Sequence, residues 1–348
     1  MTTVPEGFVL GMGNPLLDMQ ATVDELTLHK YQLNPDDAIL AEDRHMPLYE
    51  EMKKYPTIEY LAGGATLNTI KMIQWILDRP QACTYIGCIS EDEAGQILKS
   101  ECEKLKLRAK FQFSTDGVST GKCAVLLNDK NRSMVTHLGA SKELSMEHVQ
   151  NPDTWCCVEK AQVYYIAVSV LFPSITIYSR AIAQHAFKKG KLFCFNLSAP
   201  FLPSFFTEQI DSIIPFVDVL FCNSEEAGAY AAKRGWDQKP IAEIARLIAS
   251  LPRPSPTGNR RMVIVTQAKK PILLALSGEN EVRSYPVPEL ASNLIVDTNG
   301  AGDALAAGFI ADYIVSESVD SAVSCGMKAA RYIIQKSGFC LGPRADYM

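Results

Sequence analysis

Asp297-Thr298-Asn299-Gly300-Ala301-Gly302-Asp303 runs straight into Ala304-Leu305-Ala306-Ala307-Gly308-Phe309-Ile310. The apolar run that follows makes this crowd of small residues the start of a helix. There the first backbone N–H groups lack partners and the helix dipole is positive. Glycines let a phosphate approach such a backbone closely, so the stretch predicts an anion site. Asp303 stands beside it. A carboxylate repels phosphate by charge alone, so its presence makes sense if it takes a proton from an attacking hydroxyl. The plainer alternative is a glycine-rich turn with Asp303 as the helix cap.

Upstream, apolar strands alternate with amphipathic helices. Strands are predicted at 8–12, 82–89, 163–168, 192–196, 219–222 and 262–266, with 272–276 pairing to the last as a hairpin. Helices are predicted at 65–77, 94–105, 175–188, 225–233 and 241–251, then 304–315 and 319–336. Such alternation points to an α/β fold, a doubly wound and mainly parallel sheet flanked by helices. Residues 19–62, punctuated by Pro35, Pro47 and Pro56, do not continue the repeat and read as a small inserted element. Residues 122–127 and 134–138 read as two strands around a turn at 128–132.

The 348 residues are enough for one large α/β domain with an appendage. A net charge of −5, from 34 basic and 39 acidic residues, disfavours a binder of nucleic-acid polymers through bulk positive charge. The ten cysteines form no C-x-x-C pair, and are expected to be reduced, buried and small-hydrophobic in role. No basic, then apolar, leader opens the chain, and the uncharged stretch 161–179 is broken at Phe172-Pro173. The expectation is a soluble, cytoplasmic monomer without a membrane partner, the nucleus being a second compartment.

Other glycine loops are weaker. In Gly11-Met12-Gly13-Asn14-Pro15-Leu16, read as a strand ending in a tight turn, Leu16 replaces the third glycine of a dinucleotide fingerprint. In Gly117-Val118-Ser119-Thr120-Gly121-Lys122-Cys123 the spacing is one residue short of a phosphate loop and Cys123 stands where a hydroxyl must hold magnesium; a turn entering a strand explains it. Asn14 and Asp18 could hold a vicinal diol, or be an Asx turn and an exposed acid. Gly63-Gly64 with Asn68 could bring amides to the same sugar, or be a helix entry with an outward Asn. Asn223-Ser224-Glu225-Glu226 follows a strand; an acid there could organise Mg²⁺ through water, or Ser224 could cap an acidic first turn.

Together these segments resemble the ribokinase-like carbohydrate kinases, the PfkB family, and within it the branch that acts on adenosine. The family's C-terminal signature is matched by residues 297–303 and its Asn-x-x-Glu element by residues 223–226. The narrower resemblance rests on Gly11-Met12-Gly13-Asn14-Pro15-Leu16-Leu17-Asp18, Ile39-Leu40-Ala41-Glu42-Asp43, Ala62-Gly63-Gly64, Asn131-Arg132-Ser133, Asn196-Leu197-Ser198-Ala199-Pro200-Phe201 and Thr266-Gln267. The resemblance implies a large ATP-binding domain (residues 1–18, 63–120 and 140–348) and a small, mostly β lid (19–62 and 121–139). It implies that Asn14, Asp18, Gly64 and Asn68 hold the ribose hydroxyls, and that Gly63, Ala65 and Asn196 also belong to the substrate site. Leu16, Leu40, Cys123, Leu138, Val170 and Phe201 would wall its base. Arg132 would swing to the phosphate from the lid, and Asn299, Gly300, Ala301 and Gly302 would hold the charge beside the base Asp303. ATP would lie near Asn223, Glu226, Thr266, Ala268 and Met327, with Mg²⁺ near Glu226 through water.

The implied reaction is transfer of the ATP γ-phosphate to the 5′-hydroxyl of adenosine. Its rivals are phosphorylation of a free sugar such as ribose or fructose by a relative in the same superfamily, and a nucleoside-binding protein without catalysis. Six positions depart from the family pattern, among them Ala306 and Ala307, which replace a bulkier or glycine-bearing pair after the signature. Ala65 and Val170 replace an expected Ser and Phe, Ala268 replaces a glycine, and Met327 stands where a His often lines the adenine site. They bear on substrate breadth and nucleotide affinity, not on the reaction.

Overall fold

The structure is a computed structural model that describes residues 4–35, 37–128, 131–168, 173–254 and 260–347. Fourteen strands are assigned among the described residues: β1 Val9–Met12, β2 Leu16–Thr22, β3 Ala38–Leu40, β4 Glu59–Gly63, β5 Cys83–Ile89, β6 Arg108–Phe113, β7 Lys122–Asn128, β8 Asn131–His137, β9 Val163–Ala167, β10 Leu192–Asn196, β11 Val219–Asn223, β12 Met262–Gln267, β13 Lys270–Leu276 and β14 Arg283–Tyr285. They form two sheets. The larger runs β14-β13-β12-β11-β10-β9-β1-β5-β6, parallel from β12 to β6 and antiparallel at β13 and β14.

Both faces of the large sheet are covered, which is why its central strands read as continuous apolar runs. Tyr164, Ile166, Phe193, Phe195, Val263 and Val265 point into one core, packed by the helices Pro173–Lys188, Ser224–Ala232 and Ile241–Ala249. Their neighbours Val163, Tyr165, Cys194, Val219, Phe221 and Ile264 point into the other, packed by Ala65–Leu77, Ala301–Ser316 and Val319–Ile333. The strand order reverses at β1 and β9. The crevice beyond the carboxyl ends of such strands is where open α/β sheets bind ligands. Asn14, Asn196, Asn223 and Thr266 all lie at those ends.

The smaller sheet, β3-β8-β7-β2-β4, builds the inserted element. It is less purely β than the sequence suggests, because Glu25–Lys30 and Met46–Met52 are helices whose Leu28, Leu48, Tyr49 and Met52 fill a third core with Met19, Leu126 and Val135. β2, β3, β4, β6 and β14 escape the sequence reading; β6, for one, is an edge strand carrying Arg108, Lys110 and Gln112 among its apolar residues. The helix read from residue 304 begins at Ala301, within the signature.

The strand read over 8–12 is β1, with a bend at Gly13, but Gly11 and Gly13 have a further role. Gly11 lies inside β1, and a Cβ there would come within 2.2 Å of Ile70 Cγ1; one on Gly13 would come within 2.6 Å of Thr66 Oγ1. The glycines let the helix Ala65–Leu77 lie directly on the end of the strand. The cysteine expectation holds in part. All ten are free and seven are buried, but Cys156 and Cys340 are exposed and Cys325 is half-buried. Among the described residues no helix is long and apolar enough to cross a membrane. Gly11→Ala should force the helix off the strand and cost about 2–3 kcal/mol, the scale of overpacking a core. Urea denaturation checks this; an unchanged midpoint would mean that the contact yields without strain.

Candidate active site

The signature loop is shaped by Gly300, which caps the helix Ala301–Ser316 at φ +73°, a left-handed conformation that favours glycine. A Cβ at 300 would also meet Phe339 at 2.5 Å. Asp297 ties the loop from below. Its carboxylate accepts from Asn299 N–H (2.9 Å), from Gly338 N–H (3.1 Å) and from the Arg132 guanidinium. Asn299 N–H is therefore spent, and Ala301 N–H donates to the Thr298 carbonyl at 3.3 Å. Among the described residues the N–H groups of Gly300, Gly302 and Asp303 have no acceptor. The set open to an anion is thus narrower at Asn299 and Ala301, and wider at Asp303, than residues 299–302. A Cβ at Gly302 would meet nothing within 4 Å, so the space over it is open.

Asp303 is the third residue of this helix, not its cap. Its Oδ2 accepts from Asn68 Nδ2 at 3.1 Å, and its carbonyl accepts from Thr69 Oγ1 at 3.2 Å. Burial pushes the Asp303 carboxyl up to about 7, against the Asn68 hydrogen bond; the charges of Asp18 and Glu226 add to the rise. Tyr165, buried beneath, is near enough for Asp303 to raise its phenol.

Next to Asp303 the structure brings Asn14, Asp18, Gly63, Gly64 and Asn68 together. A Cβ on Gly63 would lie 2.3 Å from Asp18 Oδ2, so this glycine vacates the space the carboxylate fills. Gly64 sits at φ +98° with its Cα against Asn14; a Cβ would come within 2.3 Å of the Asn14 carbonyl. Burial pushes Asp18 up to about 6, opposed by Arg132 and Lys71. Both amide atoms of Asn14 and the Oδ1 of Asn68 are buried without a hydrogen-bond partner. Orphans of this kind cost free energy unless something polar completes them. Ala65 opens the helix with no side chain to add.

The apolar wall is only partly closed. Leu16 and Leu138 meet at Gly121, where a Cβ would lie 2.7 Å from Leu16 Cδ2 and 2.5 Å from the Leu138 carbonyl. Cys123, buried on β7, accepts from Thr136 Oγ1 at 3.4 Å. Leu40 and Phe201 are 41% and 38% exposed, so neither closes the wall in this structure. Asn196 is committed elsewhere: it donates to Tyr165 Oη (3.0 Å) and accepts from Ser198 N–H (3.1 Å). Val170 lies outside the described residues.

On the nucleotide side, Asn223 and not Ser224 caps the helix Ser224–Ala232. Asn223 Oδ1 accepts from Glu226 N–H at 2.8 Å, while the Glu226 carboxylate accepts from Asn223 N–H (2.9 Å) and Nδ2 (2.8 Å). Burial pushes Glu226 up to about 7. A cleft of about 530 Å³ opens there, lined by Asn223, Lys239, Thr266, Ala268 and Lys270 among others. Ala268 turns the β12–β13 hairpin at φ +52°, a strained place for a residue with a Cβ. Met327, by contrast, packs against the core from the helix Val319–Ile333 and does not line the cleft. No group of three or more potential metal ligands occurs among the described residues. Magnesium commonly uses one or two carboxylates plus substrate phosphates, a demand these residues can meet.

Residues 31–345 match the pfkB family of carbohydrate kinases. The chain belongs to this family. It is similar to adenosine kinase 2 of Arabidopsis thaliana, 37% identical over 345 residues that cover 98% of each chain. It is also similar in structure to adenosine kinase from Schistosoma mansoni in complex with 2-fluoroadenosine (45% identity, TM-score 0.93, 99% of each chain). Adenosine kinase from Anopheles gambiae, in complex with P1,P4-di(adenosine-5) tetraphosphate, follows at 39% identity and TM-score 0.90, over 96% of this chain and 97% of that one.

Within this pfkB-family site, sequence reasoning missed Asp297 as the tie of the loop, Gln20 as a second acceptor for Arg132 (3.2 Å), and Tyr165 under Asp303. Asp297 is inside the signature and could have been found; Tyr165 sits in an apolar strand and carries no local signal.

The raised carboxyls bear on stability. A group whose folded pKa lies above its unfolded value stabilises at low pH, and that stability is lost as pH rises toward the folded pKa. For Asp303 the loss runs from the ordinary carboxylate range up to about 7. Asp303→Asn should therefore raise the Tm of the ligand-free protein at about pH 8, with the gain shrinking toward about pH 5. A pH-independent Tm difference would show that Asp303 is not held in a desolvated place.

Proposed function

We propose that the protein is an ATP-dependent adenosine kinase, which transfers the γ-phosphate of ATP to the 5′-hydroxyl of adenosine and gives AMP. One observation carries the reading. A carboxyl held near neutrality stands between N–H groups open to phosphate and a cluster of buried, unsatisfied amide atoms suited to sugar hydroxyls. The Leu16, Cys123 and Leu138 wall favours a flat apolar base over a free sugar. The curated and structural relatives named as adenosine kinases, matched along nearly the whole chain, support the same substrate.

In this mechanism Asn14, Asp18 and Asn68 hold the ribose, with the backbone of Gly63 and Gly64 pressed against it. Asp303 accepts the 5′-hydroxyl proton as that oxygen attacks phosphorus. Its pKa of about 7 suits a base that must be ionised yet avid near neutral pH. The N–H groups of Gly300, Gly302 and Asp303 stabilise charge on the transferring phosphoryl group. Mg²⁺, bound with ATP, would neutralise phosphate charge, with Glu226 reaching it through water. ATP would lie along Asn223, Thr266 and Ala268. The lid, residues 19–62 and 121–139 in this proposal, closes over the substrates and excludes water. Arg132 would exchange Asp297 for phosphate oxygens as it does so.

Turnover with ATP and Mg²⁺ should be clearly highest for adenosine among adenosine, guanosine, inosine, ribose and fructose. Asp303→Ala should lower kcat by about 10²–10⁴ while adenosine still binds. Preference for a free sugar would overturn the base-pocket assignment. Adenosine binding without any turnover in the wild type would overturn catalysis.

A further inference from the structure

Lysine is seldom fully buried unless it is paired, because an ammonium loses its hydration in the interior. Lys71, on the helix Ala65–Leu77, is 2% exposed. Its Nζ donates to the Ala62 carbonyl at 2.6 Å and lies 5.9 Å from the centre of the Phe339 ring. An ammonium carries three N–H donors, and no carboxylate hydrogen-bonds to this one among the described residues. Glu101 and Asp18 act on it only at a distance, and Glu101 is itself paired with Lys104 at 3.7 Å. Burial accordingly lowers the Lys71 pKa.

Lys71 lines a cavity of about 470 Å³ that the mechanism does not use. The size lies within the range of small-molecule sites. Leu61, Trp75, Ile97, Leu105, Phe339 and Leu341 supply apolar walls, Glu93, Glu101 and Lys104 are the other charged members of the lining, and the exposed Cys340 belongs to it too. We propose that this cavity is a second ligand site, separate from the adenosine and ATP clefts, for a small organic anion: a carboxylate on a flat apolar body. The carboxylate takes the unused Lys71 donors, where low dielectric strengthens the pair. The apolar body rests between Ile97 and Phe339. A ligand there touches the backs of three active-site elements: Phe339 lies against Gly300, Ala62 precedes the Gly63 that abuts Asp18, and Lys71 is one turn on from Asn68.

Cys340 reports on occupancy. The whole protein is alkylated with iodoacetamide, with and without benzoate or 1-naphthoate, and the rates at Cys340 and Cys156 are read by peptide mass spectrometry. Cys156, exposed on the helix Pro152–Lys160, is the internal control. Saturating 1-naphthoate should slow Cys340 by about fivefold or more and leave Cys156 unchanged, by mass action on a single site. The neutral 1-naphthamide should protect far less, and Lys71→Met should remove the protection. Because Lys71→Met could disturb folding, Ile97→Trp, which fills the cavity from the opposite helix, should remove it too. Equal labelling with and without both carboxylates, equal protection by the amide, or protection that survives in Ile97→Trp would overturn the site.

Discussion

A carboxylate pressed against the amino end of a helix, out of full contact with water, is the constraint on which the site is built. Helix dipole and free N–H groups welcome negative charge at that place, while desolvation resists it. At Asp303 desolvation wins, and it pushes the carboxyl up to about 7. The surroundings act in both directions. Asn68 stabilises the ionised form through one hydrogen bond, and Asp18 and Glu226 oppose it through charge.

Asp297 carries the second part of the design. It holds the signature loop through Asn299, the C-terminal segment through Gly338, and the small sheet through Arg132. Gln20 of the same small sheet reaches Ser337 at 2.7 Å. Three segments far apart in sequence are thus knotted at one side chain, which couples the position of the small sheet to the shape of the signature loop. An exposed ion pair would contribute little to such coupling, but the Arg132 and Asp297 side chains are only 11% and 9% exposed. Breaking one partner there leaves a buried charge unmatched.

Much of this was legible in the sequence, for physical reasons that differ from place to place. The strands of the large sheet announced themselves because both faces are buried, so that runs such as Val163–Ala167 contain nothing polar enough to confuse them. The signature was legible because glycine has few other reasons to appear twice before a helix. What stayed hidden is tertiary. Gly11 and Gly13 read as a strand ending in a turn, and nothing local says that Ile70 and Thr66 will lie on them. At residues 223–226 the sequence left a metal-organising acid and a cap at Ser224 both open, and did not show that Asn223 is the cap, since a capping box and a metal-organising carboxylate use the same residues. Tyr165 and the cavity beside Lys71 depend on which faces meet, and no window of sequence contains that information.

The central claim is that Asp303 is the base and that Asn68 tunes it. The pH dependence of kcat/KM for adenosine, compared between wild type and Asn68→Ala, tests it most directly, because that profile reports the free enzyme's essential base. The wild type should lose activity as pH falls through about 7, and the limb should move to higher pH in Asn68→Ala, where the hydrogen bond favouring the carboxylate is gone. A wild-type profile flat through this range, or a limb that does not move when Asn68 is removed, would contradict the account.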